Sequence, residues 1–261
     1  MSNKQTCINF SYHTAKGLRD INEDAYWQGI NKSNQILCVL CDGIGSQDDS
    51  QIASQITVKE FQDYFSKRRK IYNCKKMFHI CLERAYKKIT NCSNKDLNGK
   101  KIGTTLVVLF INNDQATCFN LGDSRLYHFS LQQNKWDQIT KDHNLYNHIM
   151  ESVEADPSLD KNLLIEKYKN QLHALTRCLE SNALVHKKYD TFSFAFEVGD
   201  VCFLASDGVY HFINLNDINK IISDQRNSFE KVAQKLVDKA LQNKSNDNLT
   251  CIIVEKTNAC Q

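Results

Sequence analysis

One proline and nine glycines in 261 residues leave this chain with few backbone breakers. Pro157 stands alone, which excludes proline-rich linkers, and the loops are expected to be few or built from Asn, Asp and Ser. No apolar stretch approaches the ~20 residues that a membrane-spanning helix needs. The start, Met1-Ser2-Asn3-Lys4-Gln5, lacks the apolar core of a signal peptide. Internal repeats and low-complexity tracts are missing as well. So is a strong charge of either sign. A net charge of +3 is too mild to argue for nucleic acid or an anionic membrane as partner, and a monomer is expected. The one dense basic patch, Lys67-Arg68-Arg69-Lys70, closes a helical pattern and reads as a solvated helix terminus.

What is present is enough apolar residue for a sizeable core, 41% of the chain, and an unusual number of cysteines. Eleven is an odd count, scattered along the sequence, which argues for reduced thiols in a cytosol-like compartment. Cytoplasmic residence is the expectation, although a protein delivered into a host cell would look the same. Cys38 and Cys41 have C-x-x-C spacing, but they lie in an apolar run that reads as a strand. An odd offset puts their side chains on opposite faces, so they are expected to be core residues, not a zinc or disulfide pair.

Strand-like runs cover Ile36–Cys41, Thr104–Ile111, Ala116–Leu121, Arg125–Phe129, Thr191–Glu197, Val201–Ala205 and Leu249–Glu255. Phe192, Phe194 and Phe196 alternate with small or polar residues, as in a half-buried antiparallel strand. Helical patterns span about 51–65, 76–91 and 228–242. Phe78, Leu82, Ala85 and Ile89 mark the second; Phe229, Val232, Ala233, Leu236, Val237, Ala240 and Leu241 form the stripe of the third. Short turns at Asn112-Asn113-Asp114 and Gly122-Asp123 imply antiparallel sheets, with helices layered outside them. Residues 142–188 contain no glycine and read as a mostly helical insertion.

Four acidic clusters stand at the edges of the apolar runs. They are Arg19-Asp20-Ile21-Asn22-Glu23-Asp24, Asp42-Gly43-Ile44-Gly45, Gly122-Asp123-Ser124-Arg125, and Ser206-Asp207-Gly208 with Asp247-Asn248. A carboxylate beside a buried strand is costly unless a cation or hydrogen bonds neutralise it. Singly, each has a bland reading: an Asp-Gly is usually a turn, and Asp24 could cap a helix. Together they suggest a shared oxygen-ligand site, and hard oxygen donors without a His/Cys set favour Mg²⁺ or Mn²⁺ over zinc. Two such ions ~3.5–4 Å apart can hold a bridging hydroxide and clamp a phosphoryl group. Arg19 offers the planar fork that matches phosphate oxygens.

In this order the motifs resemble those of the metal-dependent protein phosphatases, the type 2C serine/threonine phosphatases, in their compact bacterial-like form. The resemblance runs from Arg19 to about Val254. It rests on Arg-x-x-Asn-Glu-Asp at 19–24, Asp-Gly-x-Gly at 42–45, Gly-Thr-Thr at 103–105 and Gly-Asp-Ser-Arg at 122–125. Thr-Lys-Asp-His at 140–143, Ser-Asp-Gly at 206–208 and Asp-Asn at 247–248 complete it. It implies an α+β fold, a four-layer αββα sandwich in one catalytic domain, with 142–188 as a variable flap beside the cleft. The implied activity is hydrolysis of phosphoserine and phosphothreonine in proteins by a metal-bridging hydroxide. Asp42 would bridge two Mn²⁺ or Mg²⁺ ions, with the Gly43 carbonyl and Glu23 on the second and Asp207 and Asp247 on the first. Asp123 with Asp207 would form a weaker third site. Asp24 and Asn248 would support the ligands, and Arg19 would hold the phosphate.

Two departures stand out. Ile44 occupies the place where many eukaryotic members carry a histidine proposed as general acid, so the proton donor is unassigned; His143 and His211 are expected to be structural or exposed. Ser46-Gln47-Asp48-Asp49-Ser50 is polar and acidic where the family tends to have glycines. The alternative functions are a pseudophosphatase, the same fold serving as a regulatory binding module, and a phosphatase of small metabolites. A pseudophosphatase typically loses a metal carboxylate, whereas Glu23, Asp42, Asp207 and Asp247 all remain.

Overall fold

The computed structural model describes residues 6–44, 49–183, 188–225 and 228–258; Gly45 and 46–48 of the polar tract lie outside them. In chain order, β1 (Thr6–Ala15), β2 (Ala25–Ile30), β3 (Ile36–Cys41) and β4 (Gly43–Ile44) precede two long helices, α1 (Ser50–Ser66) and α2 (Cys74–Asp96). Next come β5 (Gly103–Thr104), β6 (Leu106–Asn112), β7 (Gln115–Leu121), β8 (Arg125–Ser130) and β9 (Lys135–Gln138). The flap region carries α3 (Leu145–Ala155), α4 (Lys161–Lys167) and β10 (Leu179–Glu180). The chain ends with β11 (Asp190–Ala195), β12 (Val201–Ala205), α5 (Asp207–Tyr210), α6 (Leu215–Asp224), α7 (Val232–Gln242) and β13 (Leu249–Asn258).

Two five-stranded sheets result, ordered β1-β13-β12-β8-β9 and β11-β7-β6-β3-β2, with every pairing antiparallel. Three apolar clusters hold the layers together. Ile36, Cys38, Leu40, Leu204 and Ile252 are among those filling the space between the sheets. Phe61, Phe78, Leu82 and Ile89 of α1 and α2 cover the outer face of one sheet. Val232, Leu236, Val237 and Ala240 of α7 cover the other. This is the expected helix–sheet–sheet–helix sandwich. β3 shows why its sequence is apolar without alternation: Leu37, Val39 and Cys41 face the helices while Ile36, Cys38 and Leu40 face the second sheet. Cys38 and Cys41 therefore do point apart, and every cysteine among the described residues is free. At the sheet edge, β11 alternates between half-buried and exposed positions, as the phenylalanine pattern requires.

Three expectations need correction. Asn113-Asp114 closes the β6–β7 hairpin, with Asn113 at φ 55°. The Gly122-Asp123 turn does not close a hairpin, because β7 and β8 belong to different sheets and the turn carries the chain between them. Among its described residues, the insertion at 142–188 is helical only in α3 and α4. Asp156 is extended ahead of Pro157, where helix is disfavoured, and 172–175 is tied in turns to the start of α3 by Tyr146 N–H to Leu172 O and Leu145 N–H to Ala174 O. Finally, Leu241 at the end of the third helical stripe is 37% exposed, outside the core its neighbours form.

Candidate active site

The acidic clusters all emerge at one end of the sandwich. Arg19 and Glu23 lie between β1 and β2, Asp42 follows β3, Asp123 follows β7, Asp207 follows β12 and Asp247 precedes β13. Because the strands run antiparallel in fixed register, with Ala15 opposite Leu249 and Ala205 opposite Cys251, these ends converge. They line one cavity of about 630 Å³, whose wall includes Arg19, Glu23, Asp42, Gly43, Asp123, Asp207 and Asp247. Every residue expected to touch phosphate or cation is on it. Asp24 and Asn248, expected as supports, are not.

Main-chain hydrogen bonds build this wall. The Asp42 N–H donates to Thr105 Oγ1 at 3.0 Å, and the Asp42 carbonyl accepts from Thr105 N–H and from Thr104 Oγ1, both at 2.8 Å. The Gly43 N–H donates to the Glu23 carbonyl at 3.1 Å, which also accepts from Ser54 Oγ at 2.6 Å. A Cβ on Gly43 would stand 2.7 Å from the Glu23 and Ser50 carbonyl oxygens, so only glycine lets the loop before β2 and the start of α1 come this close. Asn248 is the clamp of the opposite wall. Its side-chain carbonyl accepts from Glu23 N–H at 2.8 Å, and its NH₂ donates to the carbonyls of Lys16 (3.0 Å) and Ile21 (2.9 Å). Its side chain thus orders the Arg19–Glu23 loop; Asp247 Oδ1 instead accepts from the Asn248 main-chain N–H at 2.8 Å.

The electrostatics are those of crowded anions. Burial is the main cause pushing the Asp42 carboxyl far above its usual range, with Asp24, Asp207, Asp123 and Asp247 adding like-charge repulsion. Burial and then Asp207 push Asp123 up to about 7, and burial and then Asp247 raise Asp207. Asp24 lies beneath the floor and rises to about 7, again mainly by burial; Ser206 Oγ donates to its Oδ2 at 2.8 Å, while buried Oδ1 has no partner among the described residues. Arg19 is the protein cation bonded to this cluster, its Nη2 2.8 Å from Asp247 Oδ2. The donor set is all oxygen and lacks positive charge, which fits hard divalent cations. Among the described residues no three side chains already form a closed metal cage. Mg²⁺-type ions tolerate that, because they keep several waters.

Arg125, His143 and His211 do not line this cavity. Arg125 makes a two-point bond to Asp142 (Nε–Oδ1 2.9 Å, Nη2–Oδ2 2.7 Å) and stacks over Tyr210, so its charge is satisfied. His143 is fully buried, accepting from Gly122 N–H at 3.0 Å and bonded to Asp190 at 3.0 Å, while His211, exposed over part of its surface, packs its ring against Tyr210 and His173. Burial lowers the pKa of both imidazoles. Sequence reasoning missed the far wall: Lys101 and Ile102 before β5, and His173, Cys178 and Glu180 from the flap. No local pattern marks these residues; β10 reaches the cavity only because it pairs with β5.

Comparison with known proteins agrees with this geometry. Residues 11–252 match the family described as Protein phosphatase 2C. A Mycoplasma genitalium protein named provisionally as a protein phosphatase is 30% identical over 245 residues, 91% of this chain and 90% of its own. The serine/threonine phosphatase stp of Listeria monocytogenes serotype 4b is 27% identical over 95% of this chain and 96% of its own. The structure of serine/threonine phosphatase Stp1 from Staphylococcus aureus superposes with a TM-score of 0.79 at 25% identity, covering 95% of each chain. The catalytic domain of the phosphatase PstP, solved in complex with two manganese ions, has the same fold, with a TM-score of 0.76 at 19% identity over 97% of this chain and all of that one. With its fold, its ordered motifs and nearly its whole length matched, this chain belongs to the protein phosphatase 2C family.

Proposed function

We propose that this chain is a single catalytic domain that removes phosphate from phosphoserine and phosphothreonine in proteins, using two Mn²⁺ or Mg²⁺ ions. The observation that carries this reading is the gathering of Arg19, Glu23, Asp42, Asp123, Asp207 and Asp247 on one cavity wall from five separate chain segments. Asp42, Asp207 and Asp247 would hold the first cation, and Asp42 and Glu23 with the Gly43 carbonyl would hold the second. Asp123 with Asp207 offers the weaker third position. When bound, such cations neutralise phosphate oxygens and lower the pKa of water.

The chain's own residues do the rest. Arg19 stands at the rim with its side chain 52% exposed, able to leave Asp247 for a phosphate dianion. Thr104 and Thr105 fix the Asp42 main chain, so the residue that would hold both cations is placed before substrate arrives. Asn248 ties Glu23 to the Asp247 wall, and Asp24 supports the floor through Ser206. Ile44 lines the cavity and offers the leaving oxygen no proton. A cytoplasmic setting fits the free thiols, and no helix among the described residues is long and apolar enough to cross a membrane.

The test is hydrolysis of a phosphothreonine peptide and an aryl phosphate by purified protein with Mn²⁺. Wild type should be active, and Asp42→Asn or Asp207→Asn should abolish turnover, as should chelator. Activity indifferent to these changes overturns the cation assignment. A folded wild type that binds Mn²⁺ yet is inert on both substrates points to the pseudophosphatase.

A further inference from the structure

Asp123 reaches the cavity from a turn that has little stiffness of its own. Gly122, just ahead of it, has φ 120°, and an added Cβ there would stand 2.6 Å from Thr105 Cβ, so the turn must be glycine and must be fixed from outside. Both neighbours of Asp123 are held by buried side chains. On one side, Ser124 Oγ lies 2.7 Å from Thr105 Oγ1, the same hydroxyl that accepts from Asp42 N–H. On the other side, the Gly122 N–H donates to His143 Nδ1 at 3.0 Å, in addition to the main-chain bond from His143 N–H to Gly122 O at 3.0 Å.

The direction of the Gly122 bond decides the tautomer. A neutral imidazole that accepts at Nδ1 carries its proton on Nε2. Nε2 stands 3.0 Å from Asp190 Oδ2, so it donates there. Asp190, the first residue of β11, also accepts from Arg177 Nη1 of the flap at 3.2 Å. The flap meets the same imidazole residue a second time, through Thr176 N–H to the His143 carbonyl at 2.8 Å. A chain of directed hydrogen bonds therefore runs from the flap through Asp190 and His143 to the residue next to Asp123. His143 itself lines a second cavity, on the flap side, that Asp123 does not line.

We propose that His143 is a positioning residue: Asp190 holds it as the Nε2-protonated tautomer, its Nδ1 fixes Gly122, and the Asp123 carboxylate is thereby set for the weaker of the divalent-cation positions, with the flap's Arg177 anchoring the far end. This rests on the reading of Asp123 as a cation ligand. Side chains that hold a ligand in place change metal affinity by about 10–100-fold when removed.

Mn²⁺ binding to the full chain, followed by titration calorimetry and by electron paramagnetic resonance, tests it. In wild type, ¹⁵N resonances of the His143 ring should report the Nε2–H form. Asp123→Asn should lose the weakest Mn²⁺. His143→Gln, which removes the acceptor at the Nδ1 place, should weaken that same ion by about 10–100-fold and leave the tighter ions unchanged. His143→Asn keeps an acceptor near Nδ1 and should lose less. Asp190→Ala, at the outer end of the chain of bonds, repeats the test without altering the buried ring, should the His143 variants fail to fold. An Nδ1–H tautomer, or a weakest ion untouched in both His143→Gln and Asp190→Ala, overturns the relay. Equal weakening of every ion overturns it too, showing a merely structural histidine. An Asp123→Asn variant that still binds all ions overturns instead the assignment of Asp123, and the proposal with it.

Discussion

A single methyl group at Gly208 sets two forces against each other in a way the structure can decide. Gly208 is the second residue of α5, directly after Asp207, and its φ is not among the positive ones. Local propensity alone therefore favours alanine there by ~0.8–1 kcal/mol. Tertiary packing opposes it. An added Cβ would fall onto the Asn248 carbonyl oxygen, 3.0 Å from that carbonyl carbon and 3.2 Å from Asp247 Cβ. None of these atoms is the end of a flexible side chain. Asn248 is bonded to the 16–23 loop at three points, and Ser245 Oγ donates to the Gly208 carbonyl at 2.7 Å, so neither side yields cheaply. Overpacking of this kind costs about 1–3 kcal/mol, which exceeds the propensity gain. Relief requires Asp207 and Asp247 to separate by ~1 Å, and a displacement of that size in a reacting constellation costs ~100-fold in rate. Gly208→Ala should thus lower kcat/KM on a phosphothreonine peptide with Mn²⁺ by about 100-fold, and lower urea-unfolding stability by up to ~2 kcal/mol. A variant with wild-type kcat/KM and a raised unfolding midpoint would refute the reasoning, because propensity would then have won.

The carboxylates predict an unusual pH dependence for metal-free protein. Asp24 and Asp123, raised to about 7, hold protons in the folded state that they release on unfolding between their usual 3.8 and about pH 7. Stability in chelator should therefore fall as pH rises from about 4 to 7, and Mn²⁺ should restore it at pH 8, where the carboxylates are ionised; rising stability over that window would contradict the crowded-anion account. Asp24→Asn should flatten part of the slope in the same urea titrations. Away from the site, Lys256 is buried, with its ammonium bonded to the Asn113 and Phe196 carbonyls and the Asp114 carboxylate. Lys256→Met leaves those carbonyls unpaired and should cost roughly 1.5–3 kcal/mol by denaturant unfolding, with kcat unchanged.

The parts of this molecule legible in its sequence are those governed by near neighbours. Burial on both sides writes β3 as an unbroken apolar run, and helical period writes the stripe of Phe78, Leu82, Ala85 and Ile89 on α2. One signal was present and passed over: Asn214-x-x-Asp217 ahead of Ile218, Ile221 and Ile222 is the capping box that starts α6. The edge strands β1, β2 and β9 were illegible because half-exposed strands carry mixed residues, and the β13 residues opposite β1 lie far along the chain. For the same reason sequence order named the acidic residues but not how they meet. Only the tertiary structure decided that the Gly122 turn crosses between sheets and that Asn248 clamps the Arg19–Glu23 loop. It alone hangs Gly122, through His143, on Asp190 and the flap. Carboxylate chemistry is a property of residues, and the sequence alone determined it here. The shared site depends on hydrogen bonds closed across tens to hundreds of residues, and no local pattern encodes those.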